Sequence, residues 1–154
     1  MKALEMIRDD VAPEDVEGKR VLIKPNLVSA YDPLAVTDIE AVEAAVDFIR
    51  ELNPAEIIIA EATADGSTTE AYSRFGYDRL EGVRLVDEKK AEYEMMSIRT
   101  LENVEKRVRV SRTILGADFK ISVARAKTHD HVFCTLSLKN MMGSVCHADH
   151  VWMH

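Results

Sequence analysis

The residues best suited to chemistry are crowded into one end of the chain. All five histidines, both cysteines and the only tryptophan lie between Lys120 and His154, and the longer stretch before it has neither His nor Cys. Within ARAKTHDHVF, Arg125 and Lys127 stand beside His129, Asp130 and His131. Imidazole exchanges protons near neutral pH and ligates metals, and a desolvated lysine can serve as base or nucleophile. Extended backbone would put His129 and His131 on one side, so they could share a substrate or a metal. His129, Lys127 and His131 are therefore the expected catalytic group, with a bland pair of surface histidines as the plain alternative. A second group, His147, His150 and His154, is spaced i, i+3, i+7, which is one face of a helix. With Cys146 beside it, this face could take a divalent transition metal such as zinc or nickel. The H-E-x-x-H pattern of metalloproteases is absent. The position at the end of the chain, where helices fray, weighs against the metal.

The elements that must position these residues read as short apolar strands alternating with helices. Val21–Ile23 is a buried strand followed by Lys24, Pro25 and Asn26. Ile57–Ala60 is a second, followed by Glu61, Thr63, Asp65, Gly66 and Ser67. Phe119–Val123 is another, followed by Arg125 and Lys127. In open α/β sheets, ligands bind at the carboxyl ends of the strands. If these three strands are parallel, their polar clusters converge on one edge. Lys24, Asn26, Glu61, Asp65, Lys139 and Asn140 are the expected ligand contacts. For Lys24 the plain alternative is an ammonium snorkelling out at a strand end. EATADGSTTE reads as a strand-to-helix turn, with Gly66 supplying an unusual backbone angle or a close approach and Ser67 to Thr69 available as caps. Neither a Walker A loop nor G-x-G-x-x-G is present.

Thr37-Asp38-Ile39-Glu40 has the form of a capping box, and the helix after it places Ile39, Val42, Val46 and Ile49 on one face. Gly76 reads as a left-handed cap after the helix Thr68–Phe75. Leu138, Met141, Met142 and Val145 mark a buried helical stripe that Thr135 could cap, with Lys139 and Asn140 facing solvent or a pocket. Gly143 inside that run costs about 1 kcal/mol relative to Ala. Val83–Val86 is a third buried strand, and 93–110 alternates as a half-exposed antiparallel pair. The expected fold is α/β: an open, mostly parallel sheet with helices on both faces, plus an antiparallel edge or hairpin around 93–110. A length of 154 residues fits a single domain spanning 1–154.

A formal net charge of −7 argues against nucleic acid as the main partner. No apolar run is long enough to span a membrane, and the charged N-terminus does not read as a signal peptide. Cys134 and Cys146 form no C-x-x-C, and the expected setting is a reducing cytoplasm.

VLIKPNLV (21–28), E-x-x-x-D-G (61–66), FGY (75–77), GADFKISVARAKTHDH (116–131) and TLSLKNMMG (135–143) together resemble the prokaryotic domain of unknown function 362 family. By that resemblance Lys24, Asn26, Lys127, His129, Lys139, Asn140 and Gly143 match motif positions, without any chemistry being supplied for them. Members often carry ferredoxin-type iron–sulfur segments outside this domain. This chain has no cysteine-rich run, so it builds no iron–sulfur cluster alone. The family domain normally continues past the K-N-x-x-G and His segments, which implies a truncated or split domain. An exposed edge or apolar patch, and a homo-oligomer or an iron–sulfur protein partner, are expected from that. The layout also loosely resembles that of nickel-dependent lactate racemases, which is a fold-level analogy.

The expected function is thus binding, or catalysis on, an anionic small molecule. Lys24, Lys127 and Lys139 would hold the anion, His129 would act as acid/base with His131 assisting, and Asn26 and Asn140 would orient groups. The alternatives are metal binding by the C-terminal histidines and a non-catalytic partner subunit of an iron–sulfur redox system.

Overall fold

The structure is a computed structural model that describes residues 2–128 and 133–152. After a short α1 (Lys2–Glu5) come β1 (Arg20–Pro25), α2 (Ile39–Arg50), β2 (Glu56–Glu61), α3 (Thr68–Arg74) and β3 (Val83–Asp87). They are followed by β4 (Tyr93–Arg99), β5 (Glu105–Ser111), α4 (Arg112–Leu115), β6 (Phe119–Val123) and α5 (Ser137–Met141). Among the described residues, four strands form a parallel sheet in the order β3-β2-β1-β6, with Ile23 level with Ile59 on one side and Ile121 on the other. β4 and β5 pair antiparallel as a separate hairpin, so the 93–110 region folds as a hairpin outside the main sheet.

Period-two alternation sends successive side chains of a strand to opposite faces. Val21, Ile23, Ile57 and Ile59 pack with Val42, Val46 and Ile49 of α2 and with Ala71 and Tyr72 of α3. Leu22, Ile58 and Ala60 pack on the other face with Ile114 of α4, Ala117 and Met141 of α5. Both faces are therefore covered, as the unbroken apolar strands require. Chain direction reverses around β1: the path through β2 and β3 leaves to one side, and β6 returns on the other. That makes the carboxyl ends of β1 and β6 the switch point at which such sheets form a crevice.

Two local expectations are corrected. The α2 helix begins at Ile39 with Asp38 in the cap position and no side-chain cap bond. The Thr37 hydroxyl is used elsewhere: it accepts from the Asn26 N–H and donates to the Val123 carbonyl, tying β1 to β6. The run from Leu138 to Val145 is not one buried helix. It is α5 followed by a 3₁₀ turn, Met142–Ser144, and Leu138 is 89% exposed. Leu136, not Thr135, occupies the cap position, and Thr135 is buried. The inward place on this short helix goes to Asn140 because the strand ends below it present carbonyls that need donors. Gly76 adopts the expected left-handed conformation, φ 81°.

Candidate functional site

Lys24 and Glu61 meet at the carboxyl ends of β1 and β2. The Lys24 ammonium lies 2.7 Å from Glu61 Oε2, and the two side chains are 1% and 6% exposed. Lys24 therefore does not snorkel to solvent. Removing two charges from water is costly unless the pair is close and its remaining valences are used. Glu61 meets that condition by accepting the Leu27 N–H on Oε2 and the Ala62 N–H on Oε1.

Asn26 and Asn140 form the second layer. The Asn26 amide donates to Asn140 Oδ1 at 3.0 Å, and Asn140 Nδ2 donates to the carbonyls of Lys24 and Pro25 and to Ser122 Oγ. One amide thus bridges β1 and β6 at the switch point. Gly143 closes the site from above. A Cβ there would stand 2.9 Å from Lys24 Nζ, 3.2 Å from its Cε and 3.4 Å from Glu61 Oε1. The absent side chain is what lets the turn after α5 lie on the ion pair. Gly143→Ala is expected to destabilise by about 1–3 kcal/mol through overpacking. Urea denaturation checks this; an unchanged or raised midpoint would mean the turn lifts freely.

Lys127 joins this edge from the segment after β6. Its ammonium donates to the Ala35 carbonyl, and Glu61 is near enough to act on its charge. Burial, then the Arg125 guanidinium, holds the Lys127 ammonium below the usual lysine range. Arg125 itself is taken up by the Val36 carbonyl and Asp38. Lys127 and Thr135 pair backbone to backbone in an isolated antiparallel bridge. His129 and His131 lie outside the described residues, so the expected acid/base pair is not placed.

Lys139 and Asp65 form no hydrogen bond or ion pair with Lys24 or Glu61 among the described residues. Lys139 is half-buried on α5, within electrostatic reach of His150, and burial lowers its ammonium below the usual range. Asp65 accepts from the Ala30 N–H and the Ser29 hydroxyl, which hold its carboxyl below the usual range. It fastens the loop after β1 to the loop after β2. Gly66 allows this fit: its φ is 59°, and a Cβ would lie 2.7 Å from that of Ala30.

The C-terminal histidines take a different form from the expected α-helical face. His147–Trp152 is a 3₁₀ helix, in which residues three apart nearly eclipse, and the His147 and His150 rings meet edge to face at 5.1 Å. Asp149 is committed to Arg109, whose side chain and backbone N–H both donate to it and bring its carboxyl down to about 2. His154 lies outside the described residues, and among those described no three His, Cys, Asp or Glu side chains gather as a metal site.

One site residue was missed. Glu88 follows β3, whose Asp87 is level with Glu61. It is 2% exposed, and neither carboxylate oxygen has a hydrogen-bond partner within 3.5 Å among the described residues, although the Ser111 and Thr113 hydroxyls stand close enough to act on it. Burial pushes its carboxyl above the usual range, an effect only partly offset by the Ser111 and Thr113 hydroxyls and by Lys24. The strand-end rule that selected Lys24 and Glu61 selects Glu88 equally when it is applied to VRLVDE. Asn26 Oδ1, Thr135 Oγ1 and Ser144 Oγ are likewise buried without partners. Asn26 and Glu88 follow strand ends, Thr135 pairs with Lys127, and Ser144 adjoins Gly143. The orphaned polar groups thus gather around this same edge.

An open α/β sheet with a buried polar cluster at its carboxyl edge defines the class. The sequence profile of the family described as "Domain of unknown function (DUF362)" matches residues 21–154, and the chain belongs to that family. It is 27% identical over 139 residues to the "Thylakoid-associated protein sll1697" of Synechocystis sp. (strain ATCC 27184 / PCC 6803 / Kazusa), an alignment covering 89% of this chain and 42% of that protein. The chain thus spans less than half the length of this relative. No solved structure matches it. Among the described residues no helix is long and apolar enough to cross a membrane.

Proposed function

We propose that the carboxyl edge of the sheet binds a small anionic molecule, as a binding or catalytic domain working in the cytoplasm. The observation that carries this reading is the gathering around one edge of buried polar atoms without a close hydrogen-bond partner among the described residues, beside a fixed ion pair and a desolvated lysine. Buried polar groups in folded proteins are overwhelmingly hydrogen-bonded, so such a gathering needs a reason, and a ligand is one. Lys24 has its charge matched by Glu61. The anion therefore falls to Lys127, with Lys139 as a further cation, while Lys24 and Glu61 stiffen the floor and Asn26 and Asn140 orient it. His129 and His131, which follow Lys127 in the sequence, supply proton transfer in this reading.

Titration calorimetry with inorganic phosphate and with citrate tests it. Saturable binding of at least one is expected, weakened about tenfold to a hundredfold in Lys127→Gln by loss of a charge-assisted hydrogen bond. No binding of either anion would overturn the proposal, and equal affinity in the variant would remove Lys127 from it.

A second reading, a partner subunit of a redox system, rests on Phe133, Leu136 and Leu138, three large apolar side chains that are 102%, 52% and 89% exposed within six positions. Co-purification of an iron–sulfur protein that is lost in Phe133→Ser/Leu138→Ser would favour it.

A further inference from the structure

Glu88 is unusual even within this edge. A carboxyl group shut away from water normally has a cation or several N–H donors. Here the nearby cation is already taken, since Lys24 pairs with Glu61 at 2.7 Å. The groups acting on Glu88 come from every neighbouring element. They are Lys24 from β1, Glu61 from β2, Tyr72 from α3, Tyr93 from β4, and the Ser111 and Thr113 hydroxyls at the start of α4. In its own turn, Lys89 donates to the Gly66 carbonyl and Lys90 pairs with Asp87. Tyr72 donates to the Val86 carbonyl and Tyr93 to the Glu88 carbonyl, so neither phenol serves the carboxyl group. Among the described groups that act on Glu88, Lys24 is the cation, and it is held by Glu61, so an ionised Glu88 would be buried without a counter-charge of its own, which favours a proton. Thr113 also lines an open groove of about 520 Å³ along the outer edge of β3, of which Glu88 itself is not part.

We infer that Glu88 is the proton-bearing group of this site, a carboxylic acid at neutral pH that donates its hydrogen bond to an oxyanion of the bound molecule. The inference rests on the anion-binding reading and assigns its ligand a phosphate or carboxylate oxygen as acceptor. When Glu88 is ionised the anion meets a like charge. Occupancy then requires one proton to be taken from solvent onto the Glu88 carboxylate. Anion affinity should therefore fall as pH rises through the Glu88 titration, by up to about tenfold per pH unit for one linked proton.

Glu88→Gln keeps the shape and a donor but cannot ionise. Two measurements decide the matter: the pH dependence of phosphate and citrate binding by calorimetry in the wild type and Glu88→Gln, and the infrared spectrum of the free proteins at neutral pH. Loss of charge on Lys127 and Lys139 weakens binding in both proteins and cancels in their ratio. The expected result is a protonated-carboxyl band in the wild type that Glu88→Gln lacks, together with a shallower pH dependence of affinity in Glu88→Gln. Absence of that band, or equal slopes in two proteins that bind, would overturn this inference and leave the anion site standing. Failure of the wild type to bind either anion at any pH would overturn both.

Discussion

Lys24→Met is expected to destabilise the protein by about 3–5 kcal/mol, because it leaves the Glu61 carboxylate buried without its counter-charge. Methionine nearly matches the volume of the lysine stem, so packing changes little and the loss reports electrostatics. Glu61 is not released by the substitution: its oxygens still receive the Leu27 and Ala62 N–H groups, and that holds the charge in place. The double variant Lys24→Met/Glu61→Gln should recover most of the loss, since the glutamine carbonyl can still accept a backbone N–H and no charge remains. Urea denaturation of both, with the slope checked for two-state behaviour, makes the comparison. Equal stability of single and double variants would mean that the loss arises from packing. The double variant also separates folding from function. If it folds but binds anions more weakly, the pair shapes the site as well as the interior.

Much of this arrangement was legible in the sequence. Unbroken apolar strands such as Val21–Ile23 and Ile57–Ala60, separated by helical stretches, require a sheet covered on both faces. Once the strands run parallel, Lys24, Glu61 and Lys127 must approach one edge. Which of them touch was not legible. Lys24 reads equally as a snorkelling lysine or a pocket cation, and only the pairing of β1 with β2 shows that it turns inward to Glu61. The stripe Leu138, Met141, Met142, Val145 predicted the wrong inward face for the same kind of reason. Periodicity counts apolar side chains, whereas this short helix answers to the unpaired carbonyls of Lys24 and Pro25. A polar Asn140 is therefore drawn in and Leu138 is left outside. Thr37 was misread as a cap because its hydroxyl serves a contact with Val123, 86 residues away, that no local pattern encodes. Glu88 sits in a charged run, DEKK, that looks solvated in one dimension, whereas the groups around it, Ser111 and Thr113 at the start of α4 among them, come from distant parts of the chain.

Asn140→Ala is expected to cost about 2–4 kcal/mol, the larger share from groups left without partners. Asn140 Nδ2 serves the Lys24 and Pro25 carbonyls and Ser122 Oγ, and Oδ1 receives the Asn26 amide. Each buried group left unsatisfied costs about 1–3 kcal/mol, though water entering the gap would offset part of the sum. The near-isosteric Asn140→Asp separates hydrogen bonding from packing. Its oxygens can still accept from Asn26, but an ionised aspartate would face two carbonyls with no hydrogen to offer. Burial and those carbonyls would raise its carboxyl above the ordinary range. In the folded state it would then hold its proton more tightly than in the unfolded chain. Stability linked to that proton is present at low pH and lost as pH rises through the folded-state value. Asn140→Asp should therefore approach the wild type at mildly acidic pH, where the protonated carboxyl can donate, and fall to or below Asn140→Ala at neutral pH. Denaturation of the three proteins at both pH values makes the test. A loss in Asn140→Ala below about 0.5 kcal/mol, within the range of an ordinary surface change, would show that the bridge between β1 and β6 does not depend on this amide.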